Sequence, residues 1–377
     1  MRPTRLFFFI AALLFSLAGT AQKYYLFIGT YTEGTSKGIY VYRFDAATGK
    51  AESVSEIDDV ADPSYLALAP KGDFLYAANE LTGGADGAVS AFSFDAAAGQ
   101  LHFLDKQPSG GNGPCYVSVD SSRKWLMVAN YGGGSLSAFP IAADGSIGGS
   151  AQFIQHEGKG LNPKRQEKPH VHSVVFTPDQ RYLLTPDLGL DRVYTYNFRP
   201  DETQPLSPAK SPYIQTRPGS GPRHIDFSPD HRFMYVIEEL AGDVLVYGYS
   251  GGKFTPVQTV LSNTIDTSAD KGSADIHLSP DGNYLYTSNR GNANTLTIYS
   301  VHKGSGKLKK IAVVDAGVIT PRNFAIDPSG HFLLVAGQKS SNIAIFKRDI
   351  ETGLLTPTGD KIDIGNPVCL KWLPIVN

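Results

Sequence analysis

Short apolar strands, separated by polar or proline-containing turns, recur along the chain six times in full and a seventh time truncated. Within each copy, apolar and polar residues alternate over stretches of about four to eight positions, as in half-buried β-strands. The copies open at Ser64, Cys115, His172, Arg223, Ala274, Arg322 and Val368, and successive openings lie 51, 57, 51, 51, 48 and 46 positions apart. A repeat of this length with four short strands per copy predicts the blades of a β-propeller.

The two ends of the chain supply the parts of one further blade. Soon after residue 22, the segments YYLFIGTY, GIYVYRFD and AESVSEI have the patterns of second, third and fourth strands, and VCLKWLP near the C-terminus has that of a first strand. Pairing these segments leaves no exposed strand edge where the ring closes. We therefore expect residues 22–377 to form a single all-β domain. It would be a seven-bladed β-propeller with four-stranded blades, closed by N-terminal strands that pair with the C-terminal strand.

Residues 1–21 have the three parts of a secretory signal peptide. Arg2 and Arg5 form a positive region, the stretch from Leu6 to Leu17 is apolar, and small residues precede a cleavage point after Ala21. The apolar stretch is short for a membrane span, which takes about 20 residues. We expect an exported protein, periplasmic or secreted, with no membrane association after cleavage. An uncleaved membrane anchor is the alternative.

Charge and cysteine content narrow the possible partners and cross-links. The chain has 34 Lys and Arg residues against 36 Asp and Glu residues, a balance that does not indicate nucleic-acid binding. Its two cysteines, Cys115 and Cys369, belong to copies that are not neighbours in the predicted ring. Because a disulfide requires Cα atoms within about 7 Å of each other, we expect two buried thiols.

Two columns of the aligned copies carry reactive side chains. The first strand of a blade is innermost and runs antiparallel to the second, so the start of one and the end of the other lie on the same face. The first column consists of the opening residues. The second lies sixteen positions later and comprises Glu80, Tyr131, Leu188, Glu239, Arg290 and Gln338. This geometry predicts that one mouth of the ring gathers His172, Arg223, Glu239, Arg290, Arg322 and Glu80.

The gathered side chains suit an anionic substrate. Long charged residues are seldom fully buried unless paired, so the cluster is either a solvated rim of ion pairs or a binding site, and its confinement to one face favours a site. Arginine presents donors that match a carboxylate, a phosphate or an oxyanion. Glu239 beside arginines would have a depressed pKa and suit a general base. His172 would transfer a proton near neutral pH, whereas His170 and His224 lie one or two residues off the column and are weaker candidates.

The widest spacing between copies contains the loop HEGKGLNPKRQEKPHVH, residues 156–172. Long loops often carry function, and the His, Lys and Arg content of this one favours a functional role. His170 and His172 could chelate a metal with a third ligand, but adjacent acidic ligands are not evident, so no metal is predicted. The motifs of nucleotide-binding loops, zinc proteases and nucleophile elbows are missing from the sequence, and no cofactor is predicted.

Several motifs together resemble a known family. The segments IGTYT, GPRHIDFSPD, EEL, SNRG and TPRNFAIDPSGHFLLVAGQKS, spread over the chain after residue 21, resemble the propeller-type 6-phosphogluconolactonases. The same superfamily contains the fungal carboxy-cis,cis-muconate cyclases. The resemblance implies a seven-bladed propeller with an ester- or lactone-directed active site at the central funnel. It places the family's functional residues on His172 (or His170), Arg223, Glu239, Arg290 and Arg322, most of which the two columns also select.

Column geometry and resemblance together predict a lactone hydrolase acting on a small sugar-acid lactone or acidic sugar. The expected catalytic residues are His172, Arg223, Glu239 and Arg290, and the expected substrate contacts are His170, Arg322, Glu80, Tyr131 and Gln338. The predicted export places the protein away from cytosolic phosphogluconolactone, which leaves the substrate open. The alternatives are a cyclising isomerase of the carboxy-muconate type and a propeller that binds a ligand without catalysis.

Overall fold

The seven-bladed propeller predicted from the repeat is confirmed. The structure, a computed structural model, describes residues 22–81, 86–265 and 270–376, and the predicted signal peptide lies outside these ranges. The described residues form seven antiparallel sheets of four strands each. No helix within these ranges has the length and apolar character needed to cross a membrane.

The described strands are numbered along the chain, and blades 1 to 6 each use four consecutive ones. The first three strands are β1 (Lys23–Thr30), β2 (Ile39–Asp45) and β3 (Lys50–Ile57). Blade 1 contains β4 (Pro63–Leu68), β5 (Phe74–Asn79), β6 (Asp86–Asp95) and β7 (Gln100–Asn112). Blade 2 contains β8 (Pro114–Val119), β9 (Trp125–Asn130), β10 (Ser135–Pro140) and β11 (Gln152–Gln155). Blade 3 contains β12 (Val175–Phe176), β13 (Tyr182–Asp187), β14 (Arg192–Phe198) and β15 (Leu206–Gln215).

The remaining blades follow the same order. Blade 4 contains β16 (Pro222–Phe227), β17 (Phe233–Glu238), β18 (Asp243–Ser250) and β19 (Lys253–Leu261). Blade 5 contains β20 (Ser273–Leu278), β21 (Tyr284–Asn289), β22 (Thr295–Val301) and β23 (Leu308–Asp315). Blade 6 contains β24 (Pro321–Ile326), β25 (Phe332–Gly337), β26 (Asn342–Arg348) and β27 (Leu355–Asp363). The last strand is β28 (Pro367–Pro374).

Blade 7 closes the ring from both ends of the chain. Its strand order is β28, β1, β2 and β3, so the C-terminal strand is innermost and three N-terminal strands complete the sheet. Strand β1 pairs antiparallel with β28, placing Phe27 opposite Lys371 and Gly29 opposite Cys369. The predicted pairing of the N-terminal strands with the C-terminal strand is therefore present.

The apolar core lies between adjacent blades, because the alternating strands bury side chains on both faces of each sheet. One cluster joins blade 7 to blades 1 and 2. Within it, the Phe27 ring of β1 packs edge-on against Phe94 of β6, with ring centroids 4.8 Å apart. Tyr25 contacts the same Phe94 ring at 5.0 Å. Aromatic side chains therefore link the closing blade to its neighbour.

The first strand of blade 3 is shorter than its sequence predicts. The copy that opens at His172 should provide a strand similar to β4 or β16, but β12 covers only two residues. Before it, the chain is held to β13 by an isolated bridge between Val171 and Asp187 and by a bond from the His172 amide to the Pro186 carbonyl oxygen at 2.9 Å. This irregular stretch leads directly out of the long loop of residues 156–172.

Both cysteines are free and buried, as expected. Cys115 lies in β8 and Cys369 in β28, on strands of different blades. The Cys369 thiol accepts a hydrogen bond from the Leu66 amide at 3.3 Å. The Cys115 thiol donates to the His172 carbonyl oxygen at 3.3 Å. Each thiol thus fills space between inner strands.

Removal of the Phe27 side chain should destabilise ring closure. Phe27→Ala leaves a cavity between blades 7 and 1, and we expect it to lower the free energy of unfolding by about 3–5 kcal/mol. Phe103→Ala is the matched control because that ring is 55% exposed on β7, and it should cost less than about 1 kcal/mol. Urea denaturation followed by circular dichroism measures both. Equal losses for the two variants would contradict this role of the closing blade.

Candidate active site

A recurrent hydrogen bond places the two predicted columns side by side. In six copies, the amide of the residue at the sixteenth position after the opening donates to the carbonyl oxygen two residues before the opening. The bond from Glu239 to Gly221 is 2.7 Å, and that from Arg290 to Gly272 is 3.0 Å. The opening residue and its partner column therefore lie on the same face of each blade, at the mouth where first strands begin.

A β-bulge gives the opening residue its direction. In blade 4, Pro222 pairs with Glu238 and His224 pairs with Ile237, so Arg223 has no partner residue in the ladder. Comparable register shifts occur at the start of β4, β8, β20 and β24. Bulges re-aim side chains and are common next to active sites. In blade 4 the bulge allows Arg223 and His224, two consecutive residues, both to contribute to the same buried cluster.

Glu239 is the centre of the predicted cluster. Its Oε2 atom lies 2.9 Å from the Arg223 Nε atom and 2.9 Å from the Arg290 Nη2 atom. The His172 Nε2 atom is 3.7 Å from the same oxygen. The structure thus brings together all four residues expected to be catalytic, although they come from blades 3, 4 and 5.

A third arginine contacts Glu239 and was not among the predicted site residues. Arg165, in the loop of residues 156–172, places its Nη2 atom 2.6 Å from Glu239 Oε1. Its Nη1 atom forms an ion pair with Asp270, and Nη2 also lies 3.4 Å from the Tyr131 hydroxyl. Arg165 lies outside the repeat, so column alignment had no means of selecting it. The only sequence signal was the basic composition of its loop.

The ionisation states of this cluster follow from burial and from the charges around it. Burial by itself raises the pKa of the Glu239 carboxyl, but the charges of Arg290 and Arg223 outweigh burial and hold this pKa well below its usual 4.5. Burial, followed by the charge of Arg223, lowers the pKa of His172 well below 6.5. Near neutral pH the carboxylate is therefore ionised and the imidazole neutral. The low pKa of His172 differs from the sequence-based expectation that this side chain exchanges a proton near neutral pH.

Glu80 and Arg322 form a second cluster rather than joining the first. The Arg322 Nη2 atom lies 3.5 Å from Glu80 Oε2, and its guanidinium stacks on the Tyr31 ring at 5.5 Å. The Tyr31 hydroxyl donates to Glu80 Oε2 at 2.6 Å. The three predicted arginines are thus divided between two carboxylates. Gln338 lies beside the second cluster, in a cavity of about 270 Å³ that Tyr31 also lines.

Tyr131 and His170 form one wall of the Glu239 cluster. The Tyr131 ring stacks on His170 with ring centroids 4.5 Å apart and meets the His172 ring edge-on at 5.1 Å. The His170 Nδ1 atom lies 3.0 Å from the Tyr131 carbonyl oxygen, and its Nε2 atom lies 3.2 Å from Glu167. Both residues therefore lie beside the predicted catalytic group, where they could contact a bound substrate.

His224 is more central than its sequence position indicated. Its ring lies 5.4 Å from the His172 ring, and the Arg223 Nη1 atom is 3.1 Å from its Nε2 atom. On the other side, its Nδ1 atom is 2.8 Å from a carboxylate oxygen of buried Asp275. Burial is the main cause that lowers the pKa of His224 to about 3. A neutral His224 thus supports Arg223 from inside the ring.

The loop that carries Arg165 is held in place by two buried polar groups. The His156 Nδ1 atom lies 2.7 Å from Asp187, and its Nε2 atom lies 2.8 Å from the Tyr196 hydroxyl. The Gln166 side chain, fully buried, donates to the Leu188 carbonyl oxygen at 2.8 Å and to Asp191 at 2.7 Å. These contacts fix the backbone on both sides of Arg165. Among the described residues, no group of three or more His, Cys, Asp or Glu side chains could hold a metal ion.

Comparison with known proteins identifies the family. A family profile described as lactonase, 7-bladed beta-propeller, matches residues 25–372. A 6-phosphogluconolactonase of Formosa agariphila is 40% identical over 88% of this chain and 94% of its own. The Bacillus subtilis 6-phosphogluconolactonase is 36% identical over 93% of this chain and 99% of its own. The solved structure of the periplasmic gluconolactonase of Pseudomonas aeruginosa is 36% identical over 94% of this chain and all of its own, with a TM-score of 0.89. The chain therefore belongs to the lactonase family of seven-bladed β-propeller enzymes, as its motifs predicted.

Proposed function

We propose that this protein hydrolyses the lactone of a sugar acid, with the Glu239 cluster at the central funnel as its active site. The observation that carries the proposal is a buried carboxylate held ionised by three arginines, with a neutral imidazole 3.7 Å away. Such a carboxylate can accept a proton from water, and the arginines can bind negative charge. Membership of the lactonase family and the lactonase activities for which its relatives are named support this reaction.

The cluster provides a group for each step of lactone opening. Glu239 takes a proton from water as the water oxygen bonds to the carbonyl carbon. The oxyanion then formed is stabilised by guanidinium N–H groups of Arg223 and Arg290. When the ring C–O bond breaks, the proton held by Glu239 passes to the departing alkoxide oxygen, and neutral His172 beside it assists this transfer. Lactone and water are thereby converted to a hydroxy acid, with no other reactant required.

The arginines of the site and the predicted export narrow the range of possible substrates. Four arginines, Arg165, Arg223, Arg290 and Arg322, lie at this mouth of the ring, and guanidinium donors of this kind suit an anionic substrate. If residues 1–21 direct export, the substrate is a sugar lactone outside the cytoplasm. The periplasmic gluconolactonase of Pseudomonas aeruginosa is a related protein named for that compartment.

Activity measurements on purified protein test the reaction. We expect the protein to hydrolyse glucono-δ-lactone or its 6-phosphate. The rate is measured from the amount of acid that the reaction releases. Glu239→Gln should lower kcat by about 10²–10⁴-fold because it removes the general base. Arg223→Ala should lower it by about 10²–10³-fold because it removes an oxyanion donor. Glu52→Gln, at an exposed position on β3, is the matched control and should leave activity unchanged.

Two outcomes would overturn the proposal. Wild-type turnover of both δ-lactones at the spontaneous rate would exclude a hydrolase for these substrates. Formation of a lactone from an unsaturated diacid, with no acid formed from a lactone, would instead indicate the cyclising isomerase. Thermal unfolding of each variant separates loss of catalysis from loss of folding, and Arg223→Lys is a milder replacement at the most buried position.

The pH dependence of kcat/KM provides a separate prediction. Since the pKa of Glu239 lies well below 4.5 and that of His172 well below 6.5, Glu239 stays ionised and His172 stays neutral from pH 6.5 upward. After subtraction of spontaneous hydrolysis, kcat/KM should have no acid limb in this window. Arg290→Gln removes a positive charge that lowers the pKa of Glu239, so its acid limb should move upward. A wild-type limb centred near pH 6.5 would contradict this assignment.

A further inference from the structure

The three arginines on Glu239 differ in origin and exposure. Arg223 lies at the bulge of β16 and Arg290 directly follows β21, and their side chains are 2% and 15% exposed. Arg165 comes from the loop between β11 and β12, and its side chain is 29% exposed. Of the three, Arg165 is therefore the one that a substrate arriving from solvent contacts most readily.

The two oxygens of Glu239 have different partners. Oε2 lies 2.9 Å from nitrogens of both Arg223 and Arg290. Oε1 lies 2.6 Å from the Arg165 Nη2 atom. A carboxylate that acts as a general base needs an oxygen lone pair directed at the attacking water. Because Oε2 is already shared by Arg223 and Arg290, Oε1 is the oxygen suited to this role, and Arg165 covers it.

The structure restricts the movement that would uncover Oε1 to the Arg165 side chain. The backbone around it forms a turn, in which the Gln166 amide donates to the Asn162 carbonyl oxygen at 2.7 Å. The buried Gln166 side chain ties this turn to Asp191 and Leu188. The Arg165 guanidinium, by contrast, spans the mouth of the site between Glu239 and partly exposed Asp270. Because the backbone is tied on this side, displacing the guanidinium from Glu239 requires a change of the Arg165 side-chain rotamer.

We propose that Arg165 is a latch that makes hydrolysis depend on an anionic group of the substrate. In the absence of substrate it covers the Glu239 oxygen that receives the water proton. A phosphate or carboxylate on the sugar forms charge-assisted hydrogen bonds with the guanidinium and draws it off Glu239. Binding of the anion thus exposes the carboxylate oxygen of the general base, which is a form of induced fit. This inference rests on the proposed function and concerns how the site distinguishes anionic from neutral sugar lactones.

The test compares Arg165→Ala with wild type on two lactones that share one ring. For 6-phosphoglucono-δ-lactone, we expect kcat/KM to fall by about 10- to 100-fold because a charge-assisted contact is lost. For neutral glucono-δ-lactone, we expect kcat/KM to rise by about 2- to 10-fold because Oε1 is uncovered. Arg165→Lys retains a point charge without the planar fork and should lie between wild type and Arg165→Ala on both substrates.

Arg217→Ala is the matched control. Arg217 lies in the loop before β16, is 65% exposed, and pairs with Asp243. Its removal changes the net charge by the same amount without touching Glu239, so the ratio of the two kcat/KM values should stay within about twofold of wild type. If Arg165→Ala lowers kcat/KM equally for both lactones, Arg165 is an ordinary structural or binding residue and the latch is wrong.

A binding measurement keeps the latch testable if neither lactone is hydrolysed. In that case the proposed function fails, and calorimetry with glucose 6-phosphate and neutral glucose decides whether Arg165 recognises the anion. Weaker binding of the phosphorylated sugar alone to Arg165→Ala would support the anion recognition that the latch requires. Unchanged affinity for both sugars, or an equal loss for both, would overturn it.

Discussion

The negative charge of Glu239 is the constraint on which the mouth of the ring depends. Guanidinium groups of Arg165, Arg223 and Arg290, from three separate segments of the chain, converge on this one buried carboxylate. Without it, three positive charges would face one another in a region where little solvent screens them, and removal of one partner from a buried ion cluster is strongly destabilising. The same interactions keep the carboxylate ionised, which leaves it free to accept the proton in the proposed reaction while lowering its affinity for that proton.

The repeated blades fix where the two columns of side chains lie, and the residues that depart from the repeat form the charged cluster. A backbone hydrogen bond recurs in six blades and sets the second column beside the first. Bulges at the start of most first strands turn the opening side chain toward the mouth. In blade 3 the regular first strand is reduced to Val175–Phe176. There, Asp187 replaces the Asn found in the same column of blades 1, 2 and 5 and binds His156, which anchors the loop that carries Arg165.

The ring was predictable from sequence because strand alternation recurs in every blade at a spacing of 46 to 57 residues. The columns likewise placed His172, Arg223, Glu239 and Arg290 together, since antiparallel pairing fixes which residues share a face. Arg165 could not be found in this way, because a loop outside the repeat has no register to align. The separation of Arg322 from the other arginines depends on which carboxylate each side chain reaches, a tertiary contact that spacing does not encode. The contact of His224 with the buried cluster was not predicted, because a bulge at the start of β16 breaks the alternation on which strand patterns rely.

The ionisation of Glu239 can be measured directly by carbon-13 NMR of protein labelled at glutamate side-chain carboxyl carbons, with Glu239→Gln used to assign the resonance. In the present account, burial opposes ionisation and the arginine charges outweigh it. The Glu239 resonance should therefore keep the chemical shift of a carboxylate as the pH is lowered through 4.5, the usual pKa of the group, while exposed glutamates titrate. A Glu239 titration midpoint at or above 4.5 would contradict the account, because the arginine cluster would then not hold an ionised base.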